Sequence, residues 1–240
     1  MRLRTRIRDC LYVNWAIPVA PLRPAPNPLR YERHSHEGQD YVIASALLFH
    51  HEGLHLDSFP VVKLSFPQFN LRLYVVDDEG MPAVLFVRML VPAWVTPAVR
   101  LIARQPARTA RFEQGGGDDD GWRWRVRRRS HFACTATPGI PTAPPTLFSS
   151  WEETVDSVRL RNRGYFLDHG HLHRIDTENH PIEAVPVRAE ITDDTLVADA
   201  LRVGEMPELH SAWLCPEMPL VFELAGNAAL AIPRRVPATG

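Results

Sequence analysis

Along most of the chain, apolar and polar positions alternate with a period of two and break at clusters of Gly, Pro, Asn and Asp, which predicts short, half-buried strands. Tyr41 to Phe49 predicts an apolar strand. Phe69 to Val76 alternates and stops at Asp77-Asp78-Glu79-Gly80, a turn feeding a second strand over Ala83 to Leu90, so the two predict a hairpin. Arg111 to Glu113 and Trp122 to Arg129 flank a loop of Gly and Asp, and further strands are expected over Leu172 to Asp176, Val185 to Ile191 and Leu220 to Leu224. Helical spacing appears over Val91 to Arg104, through Val95, Val99 and Ile102. It returns over Ser150 to Leu160, which opens on the capping box Ser150-Trp151-Glu152-Glu153, and over Asp193 to Val203, with Gly204 as the expected stop. Thr135 to Thr146, rich in proline, predicts a crossover between two halves. The pattern is mainly β, an antiparallel barrel or sandwich with a few peripheral α-helices, in one domain over residues 1–240.

The most informative strand is Gln68 to Val75. Gln68, Asn70, Arg72 and Tyr74 share one face, and Phe69, Leu71, Leu73 and Val75 the other. In a closed barrel a polar inner face lines a ligand cavity, whereas in an open sheet it meets water. On the next strand Phe86, Arg88 and Leu90 share a face, which brings Arg88 near Arg72 if the strands pair. Two such arginines would take a carboxylate through charge-assisted bidentate hydrogen bonds, or be consumed by some of the 28 acidic residues. Gln68, Asn70, Arg72, Tyr74 and Arg88 are therefore the candidate ligand-binding residues.

Composition narrows the chemistry. Charged residues make up 23% with a net charge of -1, so no global field draws nucleic acid or an anionic membrane, and the expected partner is a small molecule. Arg2, Arg4, Arg6 and Arg8 precede an apolar run, Leu11 to Val19, in the manner of a signal peptide. Asn14 and Pro18 interrupt that run and no small-x-small site follows, so no leader is expected. No apolar run reaches the length of a membrane span. Cys10, Cys134 and Cys215 are odd in number and lack C-x-x-C spacing, which suits buried thiols in a reducing cytoplasm. The 27 basic residues comprise twenty-six arginines and one lysine, Lys63, so covalent amine catalysis has a single side-chain candidate.

Histidines cluster at His34/His36, His50/His51/His55 and His169/His171/His173, but no H-E-x-x-H or Cys/His spacing accompanies them, and no metal or cofactor is expected. Trp122 and Trp124 interleave with Arg123, Arg125, Arg127, Arg128 and Arg129, a pattern that suits nucleic acid or simply a strand with a solvated basic face. Walker A, G-x-S-x-G and G-x-G-x-x-G templates are absent.

Several segments lie in a familiar order: Val13-Asn14-Trp15, Tyr41-Val42, Phe69-Asn70-Leu71-Arg72-Leu73-Tyr74-Val75, Leu85-Phe86-Val87-Arg88, Trp122-Arg123-Trp124, and His180-Pro181 followed by Pro186. On these the chain resembles the YqjF-like family of the acetoacetate decarboxylase-like superfamily. The resemblance implies an acetoacetate decarboxylase-like antiparallel β-barrel whose central cavity is lined in part by Asn70 and Arg72. In acetoacetate decarboxylase a lysine forms an imine with the substrate ketone. The corresponding stretch here is Arg104-Gln105-Pro106-Ala107-Arg108, without lysine, and Gln68 stands where relatives often carry Glu. The implied function is binding of a small acidic or carbonyl-bearing molecule without Schiff-base decarboxylation. One alternative is a non-covalent enzyme using His171 or His173 as acid or base on an Arg72-bound substrate; another is a non-catalytic interaction module, which needs exposed Trp122 and Trp124. No catalytic residue is assigned, and Lys63 is expected to face water.

Overall fold

Long strands of alternating side chains, buried on both faces, build this protein. The computed structural model describes residues 1–101, 105–116, 121–139, 147–159, 161–178, 183–224 and 230–231. In chain order the elements are β1 (Arg2–Pro18), β2 (Arg30–Tyr31), β3 (His34–His36), β4 (Gln39–Leu56), β5 (Phe59–Val76), β6 (Pro82–Val91), α1 (Thr96–Leu101), β7 (Arg108–Thr109), β8 (Arg111–Gly116), β9 (Trp122–Arg127), β10 (His131–Pro138), α2 (Trp151–Val158), β11 (Arg163–Asp168), β12 (His171–Glu178), β13 (Val185–Asp193), α3 (Thr195–Leu201), β14 (Leu209–Leu224) and β15 (Leu230–Ala231). The architecture is mainly β.

Seven strands close on themselves in the order β1, β4, β5, β6, β11, β12, β14, because β12 pairs β11 on one side and β14 on the other. Closure removes the free edges of this set. The ring is not purely antiparallel: β6 runs parallel to β11 over Val84 to Phe86, and parallel to β7 at Leu90 and Val91. Gly164 permits the first of these contacts, since a Cβ there would lie 2.6 Å from the Phe86 ring. From β14 the order continues through β13, β10, β9 and β8, so a second sheet turns back over the outside of the ring. Leu11, Val13, Trp15 and Val42 on the outer face pack with Trp124 and Phe132 of that sheet and with Leu196 of α3.

The expected β5–β6 hairpin forms with Leu73 opposite Leu85. Its turn is anchored by Asp77, whose carboxylate accepts from the backbone N–H of Glu79 and Met81 and from Arg163 and Tyr165. Strands β4 and β5 are each 18 residues long, well beyond the expected spans. The run Leu11 to Val19, read above only against a signal peptide, belongs largely to β1, and Arg2, Arg4, Arg6 and Arg8 form the charged outer face of that strand, paired with Asp57, Glu52, Glu178 and Glu217.

The helices shorten. Val91 closes β6, so the first helix starts only at Thr96. Glu153 N–H donates to Ser150 Oγ, so Ser150 caps α2 where expected, while the Glu153 carboxylate accepts from Ser149 N–H and so does not close the expected box on Ser150. At the end of α3 Arg202, not Gly204, takes the left-handed conformation, at φ 61°. Thr135 to Pro138 complete β10 rather than a crossover. Expectations that fall on residues 102–104, 117–120, 140–146, 160 and 179–182 lie outside the described residues. No described helix is long and apolar enough to cross a membrane.

Trp124 has no exposed surface and sits between the ring and the second sheet. Trp124→Ala should lower the unfolding free energy by about 3–5 kcal/mol in urea denaturation. A loss under about 1 kcal/mol would show that the two layers do not share a core.

Candidate functional site

Inside the ring, the alternation of β5 turns Gln68, Asn70 and Arg72 onto the wall of a cavity of about 90 Å³, enough for a molecule of several heavy atoms. The rest of the wall is mostly apolar, including Ile7, Phe49, Phe66, Phe86, Met89 and Phe222. Among the described residues that line it there is no carboxylate and no lysine. Lys63 lies on the exposed outer half of β5. Gln105 also reaches the wall, and it brings an amide rather than an amine.

Arg72 dominates the electrostatics. It is 1% exposed, and its Nη2 donates to Tyr74 Oη at 2.7 Å, to the Val158 carbonyl at 3.1 Å and to the Arg159 carbonyl at 3.4 Å. The last two are the C-terminal carbonyls of α2, the negative end of that helix. The guanidinium carbon also lies 5.2 Å from the ring centres of both Tyr12 and Tyr74. These contacts hold the charge in place, but among the described residues no carboxylate neutralises it and Nε has no hydrogen-bond partner. Arginine does not deprotonate, so an uncompensated cation faces a largely apolar chamber.

Tyr74 does not line that chamber. Its hydroxyl donates to the Val158 carbonyl and contacts Ser45 Oγ at 3.3 Å, so it braces Arg72 from behind. Ser45 donates to Asn14 Oδ1, and Asn14 Nδ2 donates to Ser211 Oγ at 3.1 Å, continuing a polar line across the interior.

Arg88 is a correction. Arg72 faces Phe86 and Leu71 faces Arg88, so Val87 is the extra residue of a β-bulge that reverses the faces of β6. Phe86 and Met89 point inward, and Arg88 leaves the cavity for a groove outside it.

A second polar group was visible in the sequence only as a histidine cluster. His51 is buried on the cavity wall, with Nδ1 3.1 Å from Thr5 Oγ1 and Nε2 3.1 Å from Gln68 Oε1. Gln68 Nε2 then donates to Asn70 Oδ1 at 2.8 Å. This chain requires His51 Nε2 to donate and leaves the Asn70 amide as a hydrogen-bond donor without a partner among the described residues. Both nitrogens of His51 are engaged, so it has none to offer a substrate. His171 is exposed, and His173 stacks on Phe166 with ring centres 5.1 Å apart; neither lines the cavity. Arg161, which sequence pattern did not single out, reaches the wall from the segment after α2 and is paired with Glu32 at 3.0 Å. Trp124 is core and Trp122 packs against it, which removes the exposed aromatics an Arg/Trp interaction module requires.

The family model for DUF2071, described as "Uncharacterized conserved protein (COG2071)", matches residues 4–219. No curated protein matches. Among solved structures the chain is similar to the enduracididine biosynthesis enzyme MppR complexed with pyruvate, at 12% identity and a TM-score of 0.58, covering 97% of this chain and 91% of that one. It is also similar to an acetoacetate decarboxylase from Legionella pneumophila, at 12% identity and a TM-score of 0.55, covering 92% and 84% respectively. At such identities the likeness establishes the fold.

Burial lowers the pKa of His51 from 6.5 to about 4. The unfolded chain therefore binds a proton that the folded one refuses, so this contribution to stability is full above about pH 6.5 and is lost as pH falls toward 4. Between pH 7 and about pH 4 the wild type should lose roughly 2–3 kcal/mol more in urea denaturation than His51→Gln. Parallel losses in the two proteins would show that His51 is already charged in the fold.

Proposed function

The chain belongs to the DUF2071 family, and from that premise we propose that its ring binds a small organic carboxylate, including oxo acids, without a covalent bond to the protein. The observation that carries this reading is Arg72: a fully buried guanidinium on a cavity wall, with an unpaired Nε and no carboxylate contact among the described residues. An isolated buried charge costs several kcal/mol, and an anionic ligand would offset that cost through charge-assisted hydrogen bonds. The Asn70 amide supplies a second donor, suited to a carbonyl or to the other carboxylate oxygen. The pyruvate complex of the similarly folded MppR supports a ligand of this size and charge.

Imine formation has little support in this cavity. The one lysine is exposed on β5, and the described cavity wall offers amides, Gln68, Asn70 and Gln105, rather than an amine. General acid or base work by histidine is likewise unsupported, since the imidazole on the wall is held at both nitrogens.

Pyruvate and acetoacetate titrated calorimetrically into the wild-type chain should bind saturably. Arg72→Met should weaken binding at least about tenfold while leaving the thermal midpoint unchanged or higher, because it removes a buried charge that is only partly offset. Equal affinity in the two proteins would remove Arg72 from the site. Borohydride added with either ketone should leave the mass of Lys63-containing peptides unchanged; a reduced adduct there would overturn the non-covalent reading.

A further inference from the structure

The ring has a fork. β6 pairs β11 only from Val84 to Phe86, and from Leu90 its partner is β7 instead. Between the two partners lies a groove of about 730 Å³, within the size range of small-molecule sites. Its walls carry Arg88 from β6, Arg100 from α1, Arg108 from β7 and His173 from β12. Phe86, Met89 and Gln105 line both this groove and the ring cavity, so the two are neighbours across a thin wall.

On the outer face of the rest of the ring, Arg2, Arg4, Arg8, Arg163 and Arg174 are each paired with a carboxylate. Arg88, Arg100, Arg108 and Arg128 form no ion pair among the described residues. Arg88 is half-buried, with Arg108, Arg128 and Arg202 near enough to oppose its charge and Asp199 as the balancing acid. Arg100 Nε donates to the Ala107 carbonyl at 2.9 Å, which fixes that guanidinium against the start of β7. Asp168 is the acid lining the groove, and it lies 3.7 Å from His169.

We propose that this groove is a second binding site, for the phosphate or pyrophosphate group of a small-molecule ligand. Like charges gathered in a concave, partly desolvated place repel one another unless an anion lies between them, and three guanidinium groups match several anionic oxygens better than one carboxylate. The site uses none of the residues that hold Arg72, so it stands or falls apart from the carboxylate reading. A double-stranded or single-stranded nucleic acid would need a longer basic track than a chain of net charge -1 with this one cluster offers.

The test is calorimetric titration of the full chain with inorganic pyrophosphate. Saturable binding is expected, weakened about tenfold or more by Arg108→Gln and by Arg88→Gln and unchanged by Arg72→Gln. Arg108 is exposed, so its substitution leaves the fold intact and the test readable even if Arg88→Gln is destabilised. The absence of saturable binding to the wild type, or equal affinity in Arg108→Gln, would overturn the proposal. Binding of a single-stranded oligonucleotide through Arg88 and Arg108 without binding of pyrophosphate would also overturn it, in favour of nucleic acid.

Discussion

A guanidinium sealed inside the ring without a carboxylate constrains everything around it. Desolvating such a charge costs several kcal/mol, of which a helix C-terminus offsets up to about 2 and cation–π contacts about 2 more when desolvated. Each compensation is a demand on the fold. The negative end of α2 must fall at Arg72, so the helix starts at Ser150 and its last carbonyls reach Nη2. Tyr12 on β1 and Tyr74 on β5 must both face inward, which fixes the register of two long strands with β4 between them. Behind Tyr74 the polar line continues through Ser45 and Asn14 to Ser211, so each of these buried polar side chains is partnered by the next.

Two irregularities in strand pairing decide which side chains enter the ring. In β1 the pairing with β4 slips between Arg8 and Leu11, and Asp9 adopts a positive φ of 49°. Before it Leu3, Thr5 and Ile7 are buried while the arginines face out; after it Cys10, Tyr12 and Asn14 take the inner face. In β6 the bulge at Val87 has the opposite consequence for function, since it sends Arg88 outward to join Arg100 and Arg108. One added residue separates two cationic sites that a regular strand would have merged. The lone buried cation and the outer arginine cluster therefore present different chemistry, one suited to a single carboxylate and the other to several anionic oxygens.

The histidine on the cavity wall illustrates how a reactive residue type can serve orientation instead. His51 is neutral because burial outweighs the hydrogen bond that Nε2 donates to Gln68, and its two nitrogens relay a fixed direction from Thr5 through Gln68 to the Asn70 amide. Gln68 contributes no charge, and β5 carries no acidic residue beside Arg72.

Period-two alternation was enough to identify a mainly β chain, the β5–β6 hairpin, and the face shared by Gln68, Asn70, Arg72 and Tyr74, because strand geometry makes that pattern local. The Ser150 cap placed the start of α2 for the same reason: a cap is made within one turn. Neither kind of local rule reports where a bulge interrupts a strand, which is why Arg88 was read onto the cavity face and why β1 went unrecognised behind four arginines. His51, Arg161 and Gln105 reached the site from segments far apart in sequence, and no periodicity links them. Whether the polar face of β5 met water or a cavity depended on β12 reaching β14 to close the ring, a contact between residues about fifty positions apart that only the packed chain could decide.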